Sequence, residues 1–226
     1  MPPAKKIRVM IADDHSLLRV GLKQVLESTG EYEVVGQASD GDEAVRLAAE
    51  LSPQVVLLDV IMPKKDGVEA CREILQSAPE TRVVMLTASP EEDAVIEALS
   101  AGATGYLLKE TGVDQLLSTV RDVVSGELRI PAEAVHRVLT GIRSSAAEES
   151  EVEQAGLTQR EQEILTMFAM GKSYARIAEE RGVQPVTIRN AVYGVQRKLQ
   201  IESMQELVLW AARSGLLDDR GSSQGE

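Results

Sequence analysis

Five side chains in this chain are of the right types to handle a phosphoryl group together: Asp13, Asp14, Asp59, Thr87 and Lys109. They close four short apolar runs, VMIADD, VVLLD, VVMLT and GYLLK. An ionised carboxylate at the end of a run that reads as buried strand is costly unless a partner receives it. Three carboxylates at one edge repel one another, and a divalent cation resolves that repulsion. Oxygen ligands with room for water suit Mg2+. A lysine ammonium and a threonine hydroxyl at the same edge complete the set. Together they would neutralise and hydrogen-bond the oxygens of a phosphoryl group on Asp59, a chemistry of positioning plus electrostatics. Singly, each residue reads more simply: an Asp as a turn or cap, Thr87 as a strand residue, Lys109 as a solvated charge. The joint arrangement carries the reading.

That arrangement requires elements that bring distant residues to one edge. The first half alternates strand and helix: KIRVMIAD with HSLLRVGLKQVLEST, YEVVGQA with DGDEAVRLAAEL, QVVLLD with DGVEACREILQSA, RVVMLT with PEEDAVIEALSAG, and GYLLK with VDQLLSTVRDVVSG. Continuous apolar strands between amphipathic helices predict an α/β doubly wound, five-stranded parallel sheet covered on both faces. Such sheets place their ligands at the carboxyl ends of the strands. All five candidate side chains fall there.

Residues 1–126 form this domain. PAEAVHRVLTGI, 131–142, reads as one helix in a linker over 127–155, whose remainder is acidic and lacks apolar periodicity. Residues 156–215 are helical throughout, a small all-α helix-turn-helix domain, and the tail 216–226 reads as disordered. Thr158 with Glu161 predicts a capping box, Ser173 an N-cap and Gly182 a helix stop. Along VTIRNAVYGVQRKLQ, Ile188, Val192, Val195 and Leu199 share one face. Arg189, Asn190, Tyr193, Gln196 and Arg197 share the other. Basic and hydrogen-bonding groups on one helix face suit the major groove of DNA, although a plain solvated face has the same composition.

The charge distribution bears on that choice. The chain of 226 residues has a net charge of −12. Residues 1–126 hold 12 basic and 21 acidic side chains, net −9, whereas 156–214 hold 8 and 6, net +2. The basic excess sits where the helix-turn-helix is expected. Cys71 is the single cysteine, so no disulfide framework exists and a cytoplasmic setting is expected. No apolar run is long enough for a membrane span. GQASDG lacks the Gly-Lys of a P-loop, GxGxxG and GxSxG are absent, and Cys71 has no evident His partner. An enzyme acting on an external substrate is therefore not expected.

ADDH at 12–15, LLDVIMPKKDG at 57–67, LTAS at 86–89 and GYLLKE at 105–110 together resemble the receiver domain of bacterial two-component response regulators, a flavodoxin-like fold. The resemblance implies that Asp59 is the phosphoacceptor for a sensor histidine kinase. It implies that Asp13, Asp14, Asp59 and the Ile61 carbonyl surround Mg2+. It also implies that Lys109 contacts the phosphoryl group while Thr87 and Tyr106 switch on phosphorylation. Met62-Pro63 and Gly67 shape the loop over Asp59. Ile61 and Ser89 occupy positions that tune dephosphorylation in the family, and an apolar Ile61 implies a phosphoryl group that outlasts seconds in purified protein.

Residues 157–201 are similar to the NarL/LuxR-type helix-turn-helix. The resemblance implies base contacts from Arg189, Asn190 and Tyr193, and phosphate contacts from Lys172, Ser173, Thr187, Arg197 and Lys198. It further implies double-stranded DNA with a two-fold symmetric site, and a homodimer with Val208 and Trp210 as candidate contacts. Ala191 and Gly194 depart from the family's usual His and Asn. A glycine there implies a softened helix or the close approach of a neighbour.

Overall fold

The computed structural model describes residues 6–88, 92–130, 155–214 and 216–217. Ser89, the helix expected over 131–142 and residues 218–226 lie outside the described residues. The chain divides into two compact units, one through Arg129 and one from Ile130.

In the first unit β1 (Ile7–Ala12), β2 (Tyr32–Ala38), β3 (Val55–Asp59), β4 (Arg82–Thr87) and β5 (Gly105–Leu108) form one parallel sheet in the order β2-β1-β3-β4-β5. Helices α1 (Ser16–Ser28), α2 (Gly41–Leu51), α3 (Gly67–Ser77), α4 (Glu92–Ser100) and α5 (Val113–Val124) alternate with the strands. Every residue of β3 is buried, which is why its sequence is a continuous apolar run rather than an alternating one. Alternation still assigns the two faces. Val9, Ile11, Val55, Leu57, Val84, Leu86 and Leu107 pack with Leu26, Leu116, Val120 and Val123 from the flanking helices.

Helix starts follow local chemistry. The Asp40 and Asp66 carboxylates accept from the main-chain N–H of Glu43 and Glu69, capping α2 and α3. The first unit also runs past the expected boundary at 126. The Arg129 carbonyl accepts from Tyr106 N–H at 2.8 Å, and Arg129 N–H donates to the Thr104 carbonyl at 2.9 Å. These bonds extend the pairing along the β5 edge, and the Arg129 guanidinium is held by Asp122.

The second unit contains α6 (Gln159–Ala169), α7 (Tyr174–Arg181), α8 (Pro185–Lys198) and α9 (Met204–Arg213). Thr158 and Glu161 form the expected capping box. Ser173 Oγ accepts from Arg176 N–H to cap α7, and Gly182 ends it at φ 63°. Pro185 opens α8, where its missing N–H is no loss. Ile188, Val192 and Val195 face inward, and Leu199 is half-buried at the C-cap.

A methyl group built on Gly194, in the middle of α8, meets nothing within 4 Å. No neighbour among the described residues approaches there, which favours the softened helix of the two sequence readings. Gly194→Ala is expected to stabilise the protein by about 0.5–1 kcal/mol by removing excess backbone freedom. Chemical denaturation monitored through Trp210 reads this unit, and an unchanged midpoint would defeat the argument.

Candidate functional site

Sheet order reverses between β1 and β3: the chain passes from β1 outward to β2, then returns to the other side as β3. A crevice opens at such a switch point, outside the carboxyl ends of the strands. Asp13 follows the last residue of β1, and Asp59 is the last residue of β3. Both are buried, Asp13 fully and Asp59 to 2% exposure, whereas Asp14 stands exposed at the rim. Lys109, just after β5, reaches back across β4. Its Nζ lies 2.8 Å from Asp13 Oδ2 and 2.7 Å from Asp59 Oδ2. Its main-chain N–H donates to the Thr87 carbonyl at 2.7 Å, which anchors the start of that reach. Thr87 and Tyr106 are both buried at this end of the sheet.

One ammonium therefore serves two buried carboxylates. Burial pushes the Asp59 carboxyl above its ordinary pKa; the Lys109 hydrogen bond pulls it down and the Asp13 charge pushes it further up. Burial also pulls Lys109 down, but hydrogen bonds to Asp13 and Asp59 outweigh that and hold its pKa above the ordinary value. The site is net negative, with room in its electrostatics for another cation.

The β3–α3 loop folds back over Asp59. Ile61 N–H donates to Asp59 Oδ1 at 3.3 Å, and the Ile61 side chain is 75% exposed. Gly67 N–H donates to the Val60 carbonyl at 2.8 Å. Among the described residues Asp13, Asp14, His15 and Asp59 each offer a ligand atom, all within 4.8 Å of one another. This donor set is rich in carboxylate oxygen and fits a hard divalent cation. His15 has no role in the sequence reading. Its Nδ1 sits 2.6 Å from Asp14 Oδ1, and its main-chain N–H donates to Asp13 Oδ1 at 2.8 Å. The run ADDH was the available signal.

In the second unit α8 exposes Thr187, Arg189, Asn190, Tyr193, Arg197 and Lys198 beside one another. Lys172, before α7, pairs with Glu180 at 2.7 Å, and Lys198 pairs with Glu161 at 3.0 Å.

Residues 9–121 match the response regulator receiver domain family, and residues 155–211 match the luxR family of bacterial regulatory proteins. The chain is 35% identical over 212 residues to the transcriptional regulatory protein LiaR of Bacillus subtilis, covering 94% of this chain and all of LiaR. The chain is a response regulator of the LuxR type. It is also 34% identical to the transcriptional regulatory protein DegU of Brevibacillus brevis, across 93% of this chain and 94% of DegU. The signal receiver domain of the putative response regulator NarL from Mycobacterium tuberculosis superposes with a TM-score of 0.53 at 37% identity. It covers 55% of this chain and all of that structure. The regulator thus combines a receiver domain bearing an acidic, metal-competent cluster with a LuxR-type DNA-binding domain, and it regulates transcription.

Two candidate surface residues of this regulator part company. Val208 is 3% exposed and lies in the core with Leu207 and Ala211, so it offers no surface to a second copy. The buried face of α9 takes in Ala212 as well. Trp210 is half-buried and keeps a partly accessible face. No helix among the described residues is long and apolar enough to cross a membrane.

Proposed function

We propose that Asp59 accepts a phosphoryl group from the phosphohistidine of a sensor histidine kinase, with Mg2+ held by Asp13, Asp14, Asp59 and the Ile61 carbonyl. The observation that carries this reading is the Lys109 ammonium bridging Asp13 and the buried Asp59 at 2.8 and 2.7 Å. The Asp59 carboxylate attacks phosphorus, the P–N bond to the imidazole breaks, and the imidazole leaves with the bond's electron pair. Lys109 already stands against the attacked carboxylate and is placed to take up a phosphoryl oxygen as charge builds there. Mg2+, when bound by these carboxylates, would supply further charge neutralisation. The only chemistry catalysed is this transfer and the later hydrolysis of the acyl phosphate.

Phosphorylation is read by Thr87 and Tyr106, buried on β4 and β5, whose rearrangement shifts a two-state equilibrium of that face. The consequence is a change in DNA binding and dimerisation in the cytoplasm. Arg189, Asn190 and Tyr193 read bases while Lys172, Ser173, Thr187, Arg197 and Lys198 contact phosphates of a two-fold symmetric site. Lys172 and Lys198 must exchange a carboxylate partner for DNA phosphate, which lowers their net contribution.

Acetyl phosphate with Mg2+ is expected to add one phosphoryl group to the wild-type protein, read by intact mass. Asp59→Asn should remove the added mass entirely. Labelling that persists in Asp59→Asn would sink the assignment.

A further inference from the structure

The β3–α3 loop, which carries the Ile61 carbonyl, is fastened at a point the receiver chemistry does not use. Lys64 adopts φ 68°, and Lys65 N–H donates to the Pro63 carbonyl at 2.9 Å. A bond closed across one residue at positive φ is the strained form of the γ-turn, which an L side chain rarely adopts. Strain of this kind persists only where surrounding contacts over-determine it.

Those contacts come from the β2–α2 junction. Lys64 Nζ lies 2.6 Å from Asp40 Oδ2, and Asp40 is buried to 7% exposure. Asp40 Oδ1 meanwhile caps α2 by accepting from Glu43 N–H at 2.9 Å, so one carboxylate binds both elements. Lys65 Nζ reaches Glu73 at 2.6 Å on α3 and Asp42 at 3.3 Å on α2. The two loops touch so closely that a methyl group on Gly41 would stand 2.3 Å from the Lys65 carbonyl oxygen.

We propose that Lys64 and Asp40 are a positioning pair: their contact holds the strained turn, and through it the Ile61 main chain, in the conformation that binds the divalent cation. Neither residue touches the cation. The pair acts as outer-shell support, fixing a ligand that has no side chain of its own to steer it. This rests on the proposed Mg2+ site and names further residues on which its affinity depends.

The test exploits the signs of the two charges. Lys64→Met removes a positive charge near the cation and Asp40→Asn removes a negative one, while Asn keeps the helix cap. If the pair positions the loop, both variants bind Mg2+ about tenfold more weakly, a loss of the size usual for outer-shell partners. Isothermal titration calorimetry of the full chain with MgCl2 reads this directly, with no phosphoryl transfer involved. A long-range field would instead weaken Asp40→Asn and tighten Lys64→Met, and that opposite pair of shifts overturns the proposal. So does wild-type affinity in both variants. Lys64→Gly relaxes the strained φ while deleting the ammonium; weakened binding in this variant as well supports the pair over relief of strain. A wild-type protein that takes up no Mg2+ removes the site itself, and that failure is distinct from a functional site indifferent to Lys64 and Asp40.

Discussion

Lys109→Met is expected to destabilise the protein by about 3 kcal/mol in EDTA, and added Mg2+ is expected to restore much of that loss. Lys109 is the cation found between Asp13 and Asp59, whose side chains are 0% and 3% exposed. Removing one partner of a buried charge pair leaves its counterpart unpaired and costs roughly 3–5 kcal/mol. The lower end applies because the Lys109 side chain keeps 18% exposure and Asp59, already raised in pKa by burial, can take up a proton. Mg2+ bound at the proposed site would stabilise the folded state by mass action. In wild type it must share the carboxylates with the ammonium, so the gain in Tm on adding Mg2+ should be larger in the variant. Calorimetry on the full chain is the suitable measurement, because Trp210 is the single tryptophan and lies in the other unit. A variant as stable as wild type in EDTA, or an equal response to Mg2+, would show that the ammonium is not the counter-ion of this pair.

That counter-charge arrangement was legible in the sequence because its parts are local. Asp59 ends an unbroken apolar run, and a fully buried parallel strand has only one place to put a carboxylate, its carboxyl end. Asp13, Thr87 and Lys109 are placed by the same logic on other strands, whereas the order β2-β1-β3-β4-β5 has no such local signal. Capping boxes and N-caps are equally local, so Thr158, Ser173 and Gly182 stand where expected. Contacts between polar loops have no such signature. Asp40 and Lys64 are 24 residues apart, and nothing in the period of either segment says that they meet. The burial of Val208 was illegible for a different reason: α9 is apolar at seven of its ten positions, so periodicity leaves its facing open. The first compact unit runs on to Arg129, which pairs through its main chain, a contact that composition does not register.

Gly67→Ala is the substitution expected to do most damage for its size. Gly67 opens α3 immediately after the loop, and its N–H holds the Val60 carbonyl. A methyl group there would stand 1.9 Å from the Asp59 carbonyl oxygen, 2.8 Å from its carbon and 2.9 Å from Val60 Cα. All three are main-chain atoms, so no side chain can turn away to make room, and the Asp59–Val60 backbone must move. Forced shifts in a packed region cost about 1–3 kcal/mol. The functional effect should be greater, because the displaced residue is the proposed nucleophile itself. A misplacement near 1 Å lowers rates by about a hundredfold, so phosphoryl incorporation from acetyl phosphate should fall by that order while the protein remains folded. Gly21→Ala is the internal control: a methyl group on Gly21, within α1, meets nothing within 4 Å, and this variant should be labelled at the wild-type rate. If Gly67→Ala is labelled as fast as Gly21→Ala, the close approach of α3 to Asp59 does not position the carboxylate, and the tight loop serves folding alone.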